Sequence, residues 1–346
     1  MKTIYWSVDK YVDNRVGYPH IQQAADLLKQ NEVVAFPTET VYGLGGNAKD
    51  DEAIKKIFAA KGRPSDNPLI IHIAKQEQLT EIVEEIPELA KKLMTSFWPG
   101  ALTIIFRAKK GALSTYATAG LKTVAVRMPN HPVALKLLEE SNLPIAAPSA
   151  NRSGRPSPTT ALHVKEDLDG MIAGIVDGGA TGVGVESTVI DCTEARPVIL
   201  RPGGVTKEQI EQVIGEVGMD PALVNKESTP KAPGMKYSHY APNAPMILVK
   251  GSKEKIQMLI KGEQSKGKKV GVLTTEENAG FFHADYIFVC GKREELQTVA
   301  SSLYEGLRSF NHENVDIIFS EMFPLEGVGQ AIMNRLMKAA GHQVIE

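Results

Sequence analysis

Apolar and polar positions alternate along this chain in two different rhythms, separated by a stretch with none. From residue 18 to about 215, short runs of helical spacing are interleaved with short apolar runs. "HIQQAADLLKQ" (20–30) places apolar residues one helical turn apart and predicts a helix, and "EVVAFPT" (32–38) predicts a buried strand after it. "DEAIKKIFAAKG" (51–62) reads as a helix with acids in its first turn and a natural stop at Gly62. "LIIHIA" and "ALTIIFRA" read as strands on either side of a helical "PELAKKLMTSFW". "TVAVRM", "PIAAPSA", "GIVDGG", "STVIDC" and "PVILRPG" are short, rich in small or β-branched residues, and punctuated by glycine or proline, as strands are. So many strands among so few helices predict a twisted, open, mixed α/β sheet rather than a strictly alternating parallel one.

Residues 217–243 carry no period and many prolines, and they read as a linker. The linker is unusual in carrying "GMKYSHYAP", where tyrosines, a histidine and a lysine sit together. From 244 to 346 the alternation resumes with wider spacing. Strands "MILVK", "KKVGVLTT", "ADYIFV" and "VDIIFSE" are separated by helical "KEKIQMLIKG", "EELQTVASSLYEGLRSF" and "GQAIMNRLMKAA". That rhythm predicts a smaller, doubly wound (Rossmann-like) α/β domain. The expected organisation is therefore a first domain over 1–216, a linker over 217–243 and a second domain over 244–346.

Composition narrows the class. Hydrophobic residues make up 42% of 346, enough for each half to bury a core. A net charge of −2 argues against a surface given over wholly to nucleic acid, although a local basic cleft is compatible with it. Cys192 and Cys290 stand far apart, so neither a zinc knuckle nor a disulfide framework is expected. Asp9 and Lys10 interrupt the N-terminus before an apolar leader can form, and no run is long enough to span a bilayer. A reducing, cytoplasmic setting is the expectation.

Chemistry is expected in four clusters. "PTETVYGLG" (37–45) brings the hydroxyls of Thr38, Thr40 and Tyr42 beside glycines that admit a ligand to the backbone; a capped strand-end turn has the same composition. "KGRPSDNPLIIHI" (61–73) sets Lys61 and Arg63 on a stiff corner before a buried strand. A helix C-terminus alone accounts for Lys61 through the helix dipole, but not for Arg63 beyond Gly62, nor for Asn67 and His72. In "AAPSANRSGRPSPTT" (146–160), Ser149 and Asn151 point the same way if the segment is extended, and a helix cap is expected at Thr159 or Thr160. "DGGATGVGVESTVI" (177–190), with "LRPGG" at 200–204, is a glycine-dense loop able to form an anion nest or a long hairpin. No GxxxxGK[ST], intact GxGxxG, HExxH or serine–histidine–acid set competes with these clusters.

"PTETVYGLG", "KGRPSDNPL", "PSANRSG", "GVESTV", "RPGG" and "PGMKYSHYAP", in that order, resemble the threonylcarbamoyl-AMP synthase family in its longer, two-domain form with a YrdC-like first domain. The family's paired KxR and SxN motif is met by Lys61, Arg63, Ser149 and Asn151. The resemblance implies that L-threonine, bicarbonate and ATP give L-threonylcarbamoyladenylate, pyrophosphate and water. Lys61 and Arg63 would then act on the ATP phosphates, with Asn67, Thr123, Ser149, Asn151, Ser157, Arg201 and Tyr237 also at the nucleotide. Thr40, His72, Arg127, Ala147 (through its backbone) and Ser187 would hold L-threonine. Mg²⁺ is expected with ATP, held by phosphates and water. A tRNA threonylcarbamoyl transferase complex is the implied downstream partner, modifying an adenosine beside the anticodon. The family's concave basic face also leaves room for weak binding of tRNA or double-stranded RNA, and no membrane partner is expected.

Three other readings compete: an RNA-binding module without synthase activity, a hydrogenase-maturation carbamoyltransferase, which would need zinc-finger cysteines, and a ligand sensor in the second domain.

Overall fold

The computed structural model describes residues 2–9, 19–223 and 239–346. The described residues divide into two compact units. One holds 2–9, 19–153, 157–182 and 186–223; the other holds 154–156, 183–185 and 239–346.

The first unit runs β1 (Ile4–Ser7), α1 (Pro19–Lys29), β2 (Val34–Phe36), β3 (Gly43–Asn47), α2 (Asp51–Lys61), β4 (Ile70–His72), α3 (Leu79–Ile82) and α4 (Glu88–Phe97). It continues through β5 (Leu102–Arg107), α5 (Thr115–Thr118), β6 (Thr123–Arg127), α6 (Pro132–Ser141), β7 (Ile145–Ala146) and α7 (Ala161–Leu168). β8 (Gly174–Asp177), β9 (Thr188–Asp191), β10 (Val198–Arg201), α8 (Lys207–Ile214) and β11 (Gly218–Met219) complete it. Its sheet has the order β1-β8-β2-β3-β7-β4-β6-β5-β9-β10-β11 among the described residues. Parallel pairs such as β4–β6 and β5–β9 alternate with antiparallel ones such as β2–β3 and β5–β6, so the expected mixed sheet is what forms.

Core side chains cover both faces. α2, α4 and α7 bury Ile54, Ile57, Leu93 and Leu168 with Phe106 and Val126. α1 and α6 bury Ile21, Leu28 and Leu137 with Phe36 and Ile145. Several elements go beyond the sequence expectation. The glycine run at 43–47 is strand β3, not the turn its composition suggests. A Cβ on Gly45 would come within 2.9 Å of both the Phe36 ring and Ile145, so glycine is what lets those side chains close over the strand. α6 and α8 were not anticipated, although Pro132 at the first turn of α6 and the Thr206–Gln209 capping box of α8 are both start signals. β8 and β9 do not pair with each other, which removes the hairpin reading of 177–190.

The second unit runs β12 (Met246–Val249), α9 (Lys253–Gln264), β13 (Val270–Thr274), α10 (Glu276–Ala279), β14 (Tyr286–Val289), α11 (Leu296–His312), β15 (Ile317–Glu321), α12 (Gly329–Ala339) and β16 (Val344–Ile345). Its five strands are all parallel, in the order β14-β13-β15-β12-β16. The strand and helix runs read from sequence recur here, with α10 and β16 added. Buried Glu321, at the end of β15, accepts hydrogen bonds from Thr274, Asn278 (2.9 Å) and Arg293 (2.6 Å), which satisfies its charge inside the domain.

Candidate active site

Main-chain hydrogen bonds lace the four sequence clusters to one another. Leu44 N donates to Pro148 O (2.7 Å), Ala150 N to Tyr42 O and Tyr42 N to Pro158 O (both 2.8 Å). Ser153 N donates to Lys61 O (2.8 Å), Ala147 N to Ile70 O (2.9 Å) and Gly204 N to Glu186 O (3.1 Å). Segments more than a hundred residues apart are thereby fixed against each other before any side chain is considered.

The cationic corner is set by how α2 begins and ends. Asp50 caps it by accepting from Ala53 N (2.8 Å), and the apolar face of the helix is buried. Gly62 then turns left-handed at φ 59°, a conformation that a side chain resists. Lys61 is thus directed inward and buried. Its Nζ donates to Asn151 O (2.7 Å) and Ser149 O (2.5 Å) and lies 3.5 Å from Asn151 Oδ1. Ser149 Oγ donates to the same Oδ1 at 2.6 Å, so the two side chains do share a face. Burial, then the nearby Arg63 charge, push the Lys61 pKa well below the ordinary lysine range, against the pull of Asp167 and Glu186. Arg63 is half-buried, with Nη2 3.5 Å from Pro68 O. Asn67 is buried, and among the described residues neither of its amide atoms has a hydrogen-bond partner.

A second group forms where β2 ends. Thr38 Oγ1 accepts from Val41 N (3.2 Å) and contacts Thr40 Oγ1 (2.9 Å). Arg127, at the end of β6, gives Nη1 to Thr40 Oγ1 (2.9 Å) and Nε to Gly100 O (3.1 Å), and its Nη2 is ion-paired with Glu39 (2.7 Å). His72 lies beside Arg127 in the β4–β6 register. Burial, and then the Arg127 charge, bring the His72 pKa down to about 3, so the ring is neutral. On β9's side, Ser187 Oγ meets Thr103 Oγ1 (2.8 Å), while buried Arg201 Nη2 donates to Ser187 O (2.9 Å). Ser157 Oγ donates to buried Glu186 (2.6 Å).

Lys61, Ser149 and Asn151 therefore share one bonded cluster. Thr40 and Arg127 share a second with Glu39, and Ser187 and Arg201 a third. Thr123 opens β6, four residues before Arg127 and roughly 13 Å away along the strand. Tyr237 lies outside the described residues. One expectation needs correcting: the Tyr42 hydroxyl does not face a ligand but donates to Gly179 O (2.7 Å), because the ring is buried beneath the β8–β9 loop. Sequence reading missed Glu39, Glu186 and Thr103; an acid inside the apolar stretch "AFPTETVYG" was the available signal for Glu39.

Comparison with known proteins assigns the chain to a family. A Sua5/YciO/YrdC family model, described as "Telomere recombination", matches residues 26–203, and "Threonylcarbamoyl-AMP synthase, C-terminal domain" matches 205–341. The chain is 61% identical over 345 residues to a threonylcarbamoyl-AMP synthase of Bacillus subtilis, covering 100% of both. This chain belongs to the threonylcarbamoyl-AMP synthase family. It is also 51% identical to the family member of Pyrococcus abyssi, covering 97% of this chain and 98% of that one. A crystal structure of P. abyssi Sua5 complexed with L-threonine superposes with a TM-score of 0.93 at 50% identity, over 99% of each chain. The synthase family's two-domain form, not the single-domain one, is the relevant frame, since both family models match in series.

The neutral state of His72 carries a pH signature. Its folded pKa, about 3, lies below the ordinary 6.5, so between those values the unfolded chain binds more protons. The contribution is fully present above pH 6.5 and is lost as pH falls toward 3. Wild type is expected to lose roughly 2–3 kcal/mol from this group by pH 4.5. Denaturant titrations at pH 7 and 4.5 check it: in His72→Gln the pH-linked loss should shrink by about that amount.

Proposed function

We propose that this chain catalyses formation of L-threonylcarbamoyladenylate and pyrophosphate from L-threonine, bicarbonate and ATP, as the names of its full-length relatives indicate. The observation that supports it best is the Lys61 ammonium seated among Ser149 and Asn151, beside Arg63 and the unpartnered Asn67 amide. That group is a fixed donor array suited to a polyphosphate. The Thr40–Arg127 group, with His72 and Ser187, is suited to a small hydroxylated amino acid, and the P. abyssi relative has been crystallised with L-threonine.

In this reading threonine's amine and bicarbonate give a carbamate. A carbamate oxygen attacks the α-phosphorus and pyrophosphate leaves toward Lys61 and Arg63, which stabilise its growing charge. No covalent enzyme intermediate is required; the protein positions reactants and limits water. Asn67, Thr123, Ser149, Asn151, Ser157, Arg201 and Tyr237 are assigned to the nucleotide, and Thr40, His72, Arg127, the Ala147 backbone and Ser187 to threonine. With Ala147 N already given to Ile70, its carbonyl is the group left for the ligand. Mg²⁺ would travel on the triphosphate, held mainly by phosphates and water. The product would pass to a tRNA threonylcarbamoyl transferase complex, and any RNA binding would be weak. Among the described residues no helix is long and apolar enough to cross a membrane.

Pyrophosphate release with ATP and Mg²⁺, omitting threonine or bicarbonate in turn, tests the assignment. Release should need both, and should fall about 10²–10³-fold in Arg63→Ala. Release indifferent to threonine would discard it, and salt-sensitive RNA binding without turnover would favour the RNA-module reading.

A further inference from the structure

Glu39 has no role in the assignments above, yet it is the acid ion-paired with Arg127, a residue assigned to threonine. Its side chain is 15% exposed and that of Arg127 5%. Apart from the 2.7 Å ion pair with Arg127, neither carboxylate oxygen has a hydrogen-bond partner among the described residues. The buried His131 ring also feels its charge. The rest of the set is Thr40, His72, Ser187 and the Ala147 backbone, and none of these carries a negative charge, His72 being neutral.

An amino acid enters as a zwitterion. Burying its ammonium among neutral acceptors alone would be costly, as would burying any charge without a partner. The structure holds a carboxylate and a guanidinium side by side, the reverse of the zwitterion's own pair. Resting on the synthase reading, we propose that Glu39 receives the α-ammonium of threonine while Arg127 receives its carboxylate, and that Glu39 accepts the proton the amine must lose before it can attack. The proton transfer gives Glu39–COOH and a neutral amine. The nitrogen lone pair then forms the N–C bond with bicarbonate. The C–OH bond breaks, and hydroxide leaves as water with a second nitrogen proton. The carbamate remains, and Glu39 returns its proton to solvent, so the sum is RNH₃⁺ + HCO₃⁻ → RNHCOO⁻ + H₂O + H⁺.

The test uses the full chain and calorimetric titration with L-threonine and with 2,3-dihydroxybutyrate, in which a hydroxyl replaces the ammonium. Wild type should bind threonine more tightly than the dihydroxy acid. Glu39→Gln should weaken threonine by roughly 10- to 100-fold and leave the dihydroxy acid unchanged, collapsing the preference. Glu39→Asp should restore part of it. Binding of the dihydroxy acid also reports that each variant is folded. With threonine saturating, kcat of Glu39→Gln should climb with pH toward the amine's own range, because solvent must then take the proton. Equal weakening of both ligands would mean that Glu39 only holds Arg127 in place, and would overturn the proposal. So would unchanged threonine affinity in an enzyme whose wild type still needs threonine for pyrophosphate release. Wild type that binds no threonine would overturn the synthase reading and this inference with it.

Discussion

Lys61→Met is expected to lower pyrophosphate release by at least about 10²–10³-fold, the loss typical of removing a preorganised donor from a developing anion. The side chain is well chosen for such an effect. Methionine keeps the aliphatic stem in the buried slot but removes the ammonium that holds Ser149 O and Asn151 O. Two consequences act together: the charge proposed to meet the phosphates is gone, and the segment carrying Ser149 and Asn151 loses its tether. Stability should change much less than rate. Two orphaned carbonyls cost roughly 1–3 kcal/mol each, while relief from burying a charge offsets part of that. The pH profile offers a second check. Because the free-enzyme pKa of Lys61 is held below the ordinary lysine range, wild-type kcat/KM should decline on the alkaline side earlier than a normal lysine would allow. Residual Lys61→Met activity should lack that limb. A variant that stays fully active and keeps the alkaline limb would remove Lys61 from the mechanism.

Gly203→Ala is expected to be the most damaging single-methyl change in the first unit. A Cβ there would sit 2.3 Å from Glu186 O, Ser187 C and Thr188 N, all main-chain atoms that cannot swing aside. The collision falls on the residues entering β9. It would break the Gly204 N–Glu186 O bond and shift Ser187 away from Arg201 and Thr103. Overpacking of this kind costs about 1–3 kcal/mol, which for a domain of this size lowers Tm by roughly 2–12 °C. Threonine KM should rise several-fold, ahead of any change for ATP, because Ser187 is assigned to threonine. Thermal denaturation and steady-state kinetics check both parts. Unchanged Tm and KM would show that the β9 entry yields freely and that Gly203 is not the constraint.

How much of this was legible beforehand depended on how local the signal was. α2 was readable to its last residue, since acids in the first turn and Gly62 after the last are governed by chain geometry alone. The second unit was readable for a similar reason: each βα repeat writes its own period, and parallel strands buried on both faces appear as apolar runs. β3 was not readable. Its glycines carry no strand propensity and are there because Phe36 and Ile145, distant in sequence, need the space. The short pairs β11 and β16 are strands only because a partner lies beside them.

The sequence by itself determined the motif pairs, the mixed character of the first sheet, the parallel second domain and the family, because residue types and spacing carry them. Only the tertiary structure decided what each polar group touches. It buries Lys61 among carbonyls, turns Tyr42 inward to Gly179, closes Arg201 on Ser187, and sets Glu39 against Arg127. The reason is physical. A buried charge or hydroxyl must find a partner within about 3 Å, and these partners lie between 14 and about 140 residues away along the chain. Their meeting depends on sheet order and loop closure, which no local pattern records.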